Sequence, residues 1–186
     1  MKYNKIIKSF LVAIILCATN CKPMAETTSV IELTNEEQKL YNLLMDYRKE
    51  KGLPSVPISK SLTYVAQLHA KDVVNNKPDS GKCNLHSWSD KGNWTSCCYT
   101  SDHSKASCMW NKPKELTSYK GKGYEISYKS SVQITPESAL NSWKNSSGHN
   151  AVIINEETWS ICKWNAIGIG IYKGYACVWF GMEVDE

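Results

Sequence analysis

The sequence predicts an α+β domain, with helices first, an antiparallel hairpin last and a disulfide-held loop between them. Three observations carry that expectation. Two upstream stretches repeat apolar residues at helical spacing behind clear N-terminal caps. The last twenty or so residues alternate as strands do around a Lys-Gly turn. Between these regions, four cysteines crowd into a stretch without periodicity. The chain has 186 residues, 42% of them hydrophobic and seven of them Trp, enough for one domain with a real core. Its net charge of +4 is spread along the chain without a Lys/Arg block, which argues against nucleic acid as a partner.

The N-terminus reads as an export leader over residues 1–21. Lys2, Lys5 and Lys8 precede the apolar run Phe10 to Leu16, well short of the roughly 18 residues needed to span a membrane. Ala18-Thr19-Asn20-Cys21 resembles a loose lipobox, which would make Cys21 a lipid anchor and the protein a cell-surface lipoprotein. Cleavage near Ala25 would release a secreted protein instead. Residues 22–33 are polar and read as a tether, and the domain is expected over 34–186. Setting aside Cys17 and Cys21 leaves Cys83, Cys97, Cys98, Cys108, Cys162 and Cys177, an even set that implies disulfides in an exported chain. Adjacent Cys97 and Cys98 should take different partners. Cys162 and Cys177 are expected to pair, because both fall in the C-terminal sheet region.

Thr34-x-x-Glu37 is a capping box, followed by a helical face of Leu40, Leu43, Leu44 and Tyr47 that ends at Lys49, Lys51 and Gly52. Ser59 or Ser61 caps a second helix whose face is Leu62, Val65, Ala66, His69 and Val73. His69 thus sits on a packing face and reads as a hydrogen-bonded core residue before a ligand. Residues 82–123 read as a long loop held by disulfides. Cys98-x4-His103-x4-Cys108 within it could be zinc spacing, but an oxidising compartment favours disulfides. Tyr124 to Tyr128 reads as a short strand. Thr135-Pro136-Glu137 opens a helix with Ala139, Leu140 and Trp143 on its buried face. Gly148 is expected to break that helix with a positive φ and aim His149 into a cleft, ahead of the apolar run Ala151 to Ile154. Ala166 to Tyr172 and Tyr175 to Val184 form the hairpin around Lys173-Gly174. Gly168 and Gly170 allow another layer to approach closely. Asn93-Trp94-Thr95 and Asn145-Ser146-Ser147 are sequons with meaning only in a eukaryotic secretory pathway.

Several of these stretches line up with one family. They are Tyr47-Arg48 with Gly52-Leu53-Pro54, Ala66-x-x-His69-Ala70-x-Asp72, Leu85-His86-Ser87 and Gly123-Tyr124-Glu125-Ile126. They continue with Trp143-x-x-Ser146-x-Gly148-His149-x-x-Ile153 and Ile167-Gly168-Ile169-Gly170. In this order they resemble the CAP superfamily, or SCP domain, in its short bacterial form, from about residue 36 to the end. The resemblance implies an α-β-α sandwich with a small antiparallel sheet between helical layers. It also implies a cleft of two His and two acids: His86, His149 and Glu125 match, while Ser146 stands where the second acid would be. Glu137, Glu156 and Glu157 lie nearby in sequence, but none of them matches that position.

Two neutral imidazoles, His86 and His149, are a natural first shell for Zn²⁺ or another divalent cation, held weakly for want of a third protein ligand. Glu125 could orient one imidazole or act as a base on bound water. The function expected is that of an exported binding protein for an unknown protein or lipid ligand. The alternatives are a metal-dependent, peptidase-like hydrolase using Glu125 as base, and a lipid- or sterol-binding protein as the family resemblance implies. In that last reading, Ala151 to Ile154 and the aromatic loop would line a groove.

Overall fold

The structure, a computed structural model, describes residues 31–186. The leader over 1–21, the anchor at Cys21 and the tether up to residue 30 lie outside the described residues. Helix α1 (Asn35–Glu50) starts where the sequence places it: Glu37 N donates to the Thr34 hydroxyl, and Thr34 N donates to Glu37 Oε2 at 2.8 Å. Glu37 is buried because it serves three elements. Its carboxylate also accepts from Gln67 Nε2 and from the backbone N–H of Ile171, both at 2.9 Å. A buried carboxylate with several donors is satisfied, so its burial is tolerated. Helix α2 (Lys60–Asn76) is capped by Ser59, whose hydroxyl accepts from Leu62 N at 2.9 Å. Asp185 accepts from Ser59 Oγ and Ser61 N, so the chain's end seals the start of α2.

Strands β1 (Gly123–Lys129), β2 (Ala166–Tyr172) and β3 (Tyr175–Gly181) form one antiparallel sheet in the order β1-β3-β2. The returning strand stops at Gly181, short of the expected Val184, and residues 183–185 turn away to meet Tyr119 and α2. The two faces of β3 sort by alternation. Ala176, Val178 and Phe180 join Ile126, Ile167 and Ile169 in a core shared with α1, α5 (Pro136–Lys144) and α6 (Ser147–Ile154). Tyr175, Cys177 and Trp179 face α2 and the loop over 82–122. The result is an α-β-α sandwich, as the family resemblance implied. Gly168 and Gly170 let α2 lie directly on β2. A Cβ on either would stand 2.1 Å from the Leu62 carbonyl carbon or 2.3 Å from that of Ala66.

The loop carries two disulfides, Cys83–Cys98 and Cys97–Cys108, so the adjacent cysteines do take different partners and the zinc spacing is used up. Two short helices, α3 (Ala106–Trp110) and α4 (Lys112–Leu116), interrupt it. Lys112, the first residue of α4, is buried. Its ammonium bonds Thr95 O and Glu115 and lies 5.4 Å from the Trp88 ring centre.

Two further expectations fail. Cys162 and Cys177 are free thiols. Cys177 points from β3 toward Ala66 of α2, whereas Cys162 sits in the turn before β2 and packs on the opposite core. The sheet lies between them. Nor does Gly148 break a helix: its φ is not positive, and it lies in the first turn of α6. The break falls at Ser146, which alone is extended (φ −106°, ψ 113°) and whose carbonyl accepts the first α6 bond, from Asn150 N. Asn145 and Ser146 turn the chain, and Gly148 occupies a position whose N–H needs no intrahelical acceptor.

Candidate functional site

Strand β1 is an edge strand, and a cleft of about 720 Å³ opens beside it. His86 reaches the cleft from the loop on the α2 side, and His149 from the first turn of α6 on the other side. Glu125 of β1 and Ser146 line the same hollow, so all four residues singled out in the sequence share it. Tyr99, Trp110, Tyr124, Trp159 and Ile161 supply an aromatic and apolar wall. A second hollow of about 610 Å³, lined by Lys77, Lys129 and Lys173, lies away from these residues.

Glu125 is the hub. Its side chain is fully buried. Oε2 accepts from His86 Nδ1 at 3.1 Å, and Oε1 lies 2.9 Å from His69 Nδ1 and 2.8 Å from the Tyr175 hydroxyl. Burial alone would raise its pKa, but the charge and hydrogen bond of His69, followed by those of His86, outweigh burial and hold it at about 2. His69 is a packed, hydrogen-bonded core residue as the helical pattern implied, yet it also touches the hub. The ring stacks on Trp88 with centroids 4.4 Å apart.

His86 keeps 17% of its side chain exposed, and among the described residues its Nε2 makes no hydrogen bond. Neither ring nitrogen of His149 has a hydrogen-bond partner among the described residues. Burial, and then the charge of His86, lower the His149 pKa against the pull of Glu125, which favours the neutral imidazole at pH 7. The donor set therefore fits a divalent cation in one respect: two imidazole lone pairs are available, one of them oriented by a carboxylate behind it. Sharing Glu125 with this site, His69, Glu125 and Cys177 bring ring nitrogen, carboxylate and sulfur within 4.8 Å of one another, a second candidate metal-binding group, wholly buried.

Sequence reasoning underrated two contributors. Tyr175 looks like a strand residue, and only the sheet's register carries its hydroxyl to Glu125. Glu157 does line the cleft, held at φ 52° in the turn after α6, whereas Glu137 pairs with Lys39 at 2.7 Å on the surface. Of Ala151 to Ile154, only Val152 lines the cleft, and the other three are core.

The profile of the cysteine-rich secretory protein family, CAP, matches residues 41–179, and the chain belongs to that family. Among solved structures it is similar to an extracellular protein containing an SCP domain from Bacillus anthracis. That likeness has a TM-score of 0.57 and 19% identity, covering 82% of this chain and 45% of the other. It is also similar to a cysteine-rich secretory protein from Staphylococcus aureus, with a TM-score of 0.52 and 19% identity, covering 80% of this chain and 38% of the other. The chain thus spans less than half the length of either, and the likeness is one of fold. A comparison with curated protein sequences finds no match.

Proposed function

We propose that this chain is an exported recognition protein whose cleft holds a divalent cation, Zn²⁺ foremost, loosely between His86 and His149. The observation that carries this reading is the Glu125–His86 hydrogen bond. It commits Nδ1 to the carboxylate and leaves Nε2 without a protein partner in the cleft that His149 also lines. A bound cation would supply a Lewis-acidic point for an anionic or carbonyl group of a ligand lodged against the aromatic wall. Two protein ligands leave the remaining positions to water and ligand, so affinity is modest. Export would proceed through the leader, with or without an anchor at Cys21, and the two disulfides of the loop support an oxidising destination.

The hydrolase alternative has less behind it. Glu125 is buried, engaged by three groups and held down to about 2 by His69 and His86, surroundings that make it a weak base. The lipid alternative has one observation behind it: Ile161, 91% exposed, stands at the mouth of the aromatic cleft. Calorimetric titration with Zn²⁺ of the wild type and of the double variant His86→Ala/His149→Ala tests the main reading. Equal binding by both proteins removes it. Displacement of an environment-sensitive fluorescent fatty acid from the wild type, unaffected by chelator, would favour the lipid reading.

A further inference from the structure

We propose that the cleft takes a short extended peptide of another protein, held through its main chain on the open edge of β1 at Glu125. The proposal rests on the reading of the cleft as a recognition site and names the class of its ligand.

In an antiparallel ladder, the N–H and C=O of one residue point to the same side, and successive residues alternate. Ser130 N donates to Gly174 O at 2.9 Å, one step beyond the end of the β1–β3 ladder. Counting back from Ser130 in twos, Tyr128, Ile126 and Tyr124 direct their main-chain groups at β3. Glu125 and Ser127 direct theirs the other way, where no further strand of the sheet follows. Trp143 marks the same direction: its indole donates to Ser127 O at 3.0 Å and brings α5 over that end of the edge. Toward the other end, the Trp110 ring of α3 lies 5.4 Å from the Tyr124 ring. Glu125 stands between these two covers. Its side chain has no exposure while the residue as a whole keeps 8%, so the surface it shows is main chain. Among the described residues, neither its N–H nor its C=O has a hydrogen-bond partner.

Main-chain groups of this kind call for partners, and an open strand edge is a template for another chain. A donor and an acceptor on one strand residue match the acceptor and donor of one residue in an extended peptide, which is the pattern of strand addition. The walls suit the side chains of such a segment, which alternate across the sheet plane. The peptide residue opposite Glu125 turns its side chain toward His86, Tyr99 and Met109, on the α2 side. The residues before and after it face His149, Val152 and Trp159. Because α5 and α3 close in on either end, the contact is one residue pair long. A cleft of about 720 Å³ fits a segment of a few residues. Proline at the paired position lacks the donor and should be rejected.

The test selects hexapeptides from a displayed random library on the full chain, in chelator so that no cation contributes. The tightest hexapeptide is remade with each amide in turn replaced by an ester, which removes one N–H and keeps the shape. Replacing the paired residue's N–H should weaken binding about fivefold or more, read by calorimetry. The next replacement makes that residue's carbonyl a poorer acceptor and should weaken binding less, and the others should have little effect. In a ¹⁵N spectrum of the full chain, the hexapeptide should slow solvent exchange of the Glu125 amide about tenfold or more. A library that yields no binder, a flat ester scan, or a Glu125 amide that exchanges as before overturns the proposal. A peptide of residues 22–30 that displaces the hexapeptide with the same ester pattern would make the chain's own tether the occupant, and overturns it too. The Zn²⁺ titration decides the metal reading separately: a wild type that binds no Zn²⁺ yet passes the ester scan loses the cation and keeps the peptide site.

Discussion

Glu125 and Arg48 are buried charged residues held by several hydrogen bonds, and each yields a prediction. The folded pKa of Glu125 is depressed to about 2 from 4.5. A depressed carboxylate contributes stability that is complete above its unfolded value and is lost as pH falls through the folded one. Wild-type stability should therefore drop by on the order of 3 kcal/mol between about pH 5 and pH 2 from this group. Denaturant titrations across that range should show a flatter dependence for Glu125→Gln. Arg48 is 2% exposed and ties three places together. Its Nε donates to Pro54 O at 3.1 Å, and one terminal nitrogen donates to Ile153 O at 2.5 Å and to Asn155 Oδ1 at 2.7 Å. Truncation strands these acceptors, one after α1 and two at the C-terminal end of α6. Arg48→Ala should lower stability by about 3 kcal/mol, read as a shifted urea midpoint at unchanged slope.

Among the elements, the contact between α2 and β2 is the least forgiving. Gly168→Ala and Gly170→Ala drive a methyl into the α2 backbone, and each should cost about 1–3 kcal/mol or more. Gly148→Ala should do the reverse. No atom lies within 4 Å of a Cβ there, and its φ is ordinary for a helix, so a gain of up to about 1 kcal/mol is expected. Parallel thermal melts of the three variants check the contrast, and a loss at position 148 would contradict its place in α6. The loop depends on its cross-links as well as on packing. Trp88, Tyr99 and Met109 bury it against the α2 side of the core, but its irregular stretches are closed by the two disulfides, so Cys83→Ser/Cys98→Ser should cost about 2–4 kcal/mol. Susceptibility of the loop to limited proteolysis should rise with it.

For the whole molecule, the sheet divides two chemical environments, and the free thiols report it. Cys162 is half-buried at the cleft, its pKa raised by burial, while Cys177 is fully buried between β3 and α2. A maleimide probe with peptide mapping should label Cys162 slowly in the native protein and Cys177 only after unfolding. Equal labelling of both would mean that the α2 layer opens. The helix starts at Thr34, Ser59 and Thr135, the packing face of α2 and the hairpin turn were legible in the chain, because capping and periodicity act over a few residues. The positions of His86, Glu125 and His149 around one cleft were legible only through the family resemblance, since no local rule joins residues so far apart in sequence.

Local chemistry by itself determined where α1, α2 and α5 start, which strand positions are narrow enough for a helix to lie against, and that neighbouring cysteines must part. Only the tertiary structure decided which cysteines share a side of the sheet and which donors reach the Glu125 carboxylate. It also decided that the turn before His149 falls at Ser146. Those outcomes depend on the face a side chain occupies once layers pack, and that is set jointly by distant segments whose pairing no short stretch encodes.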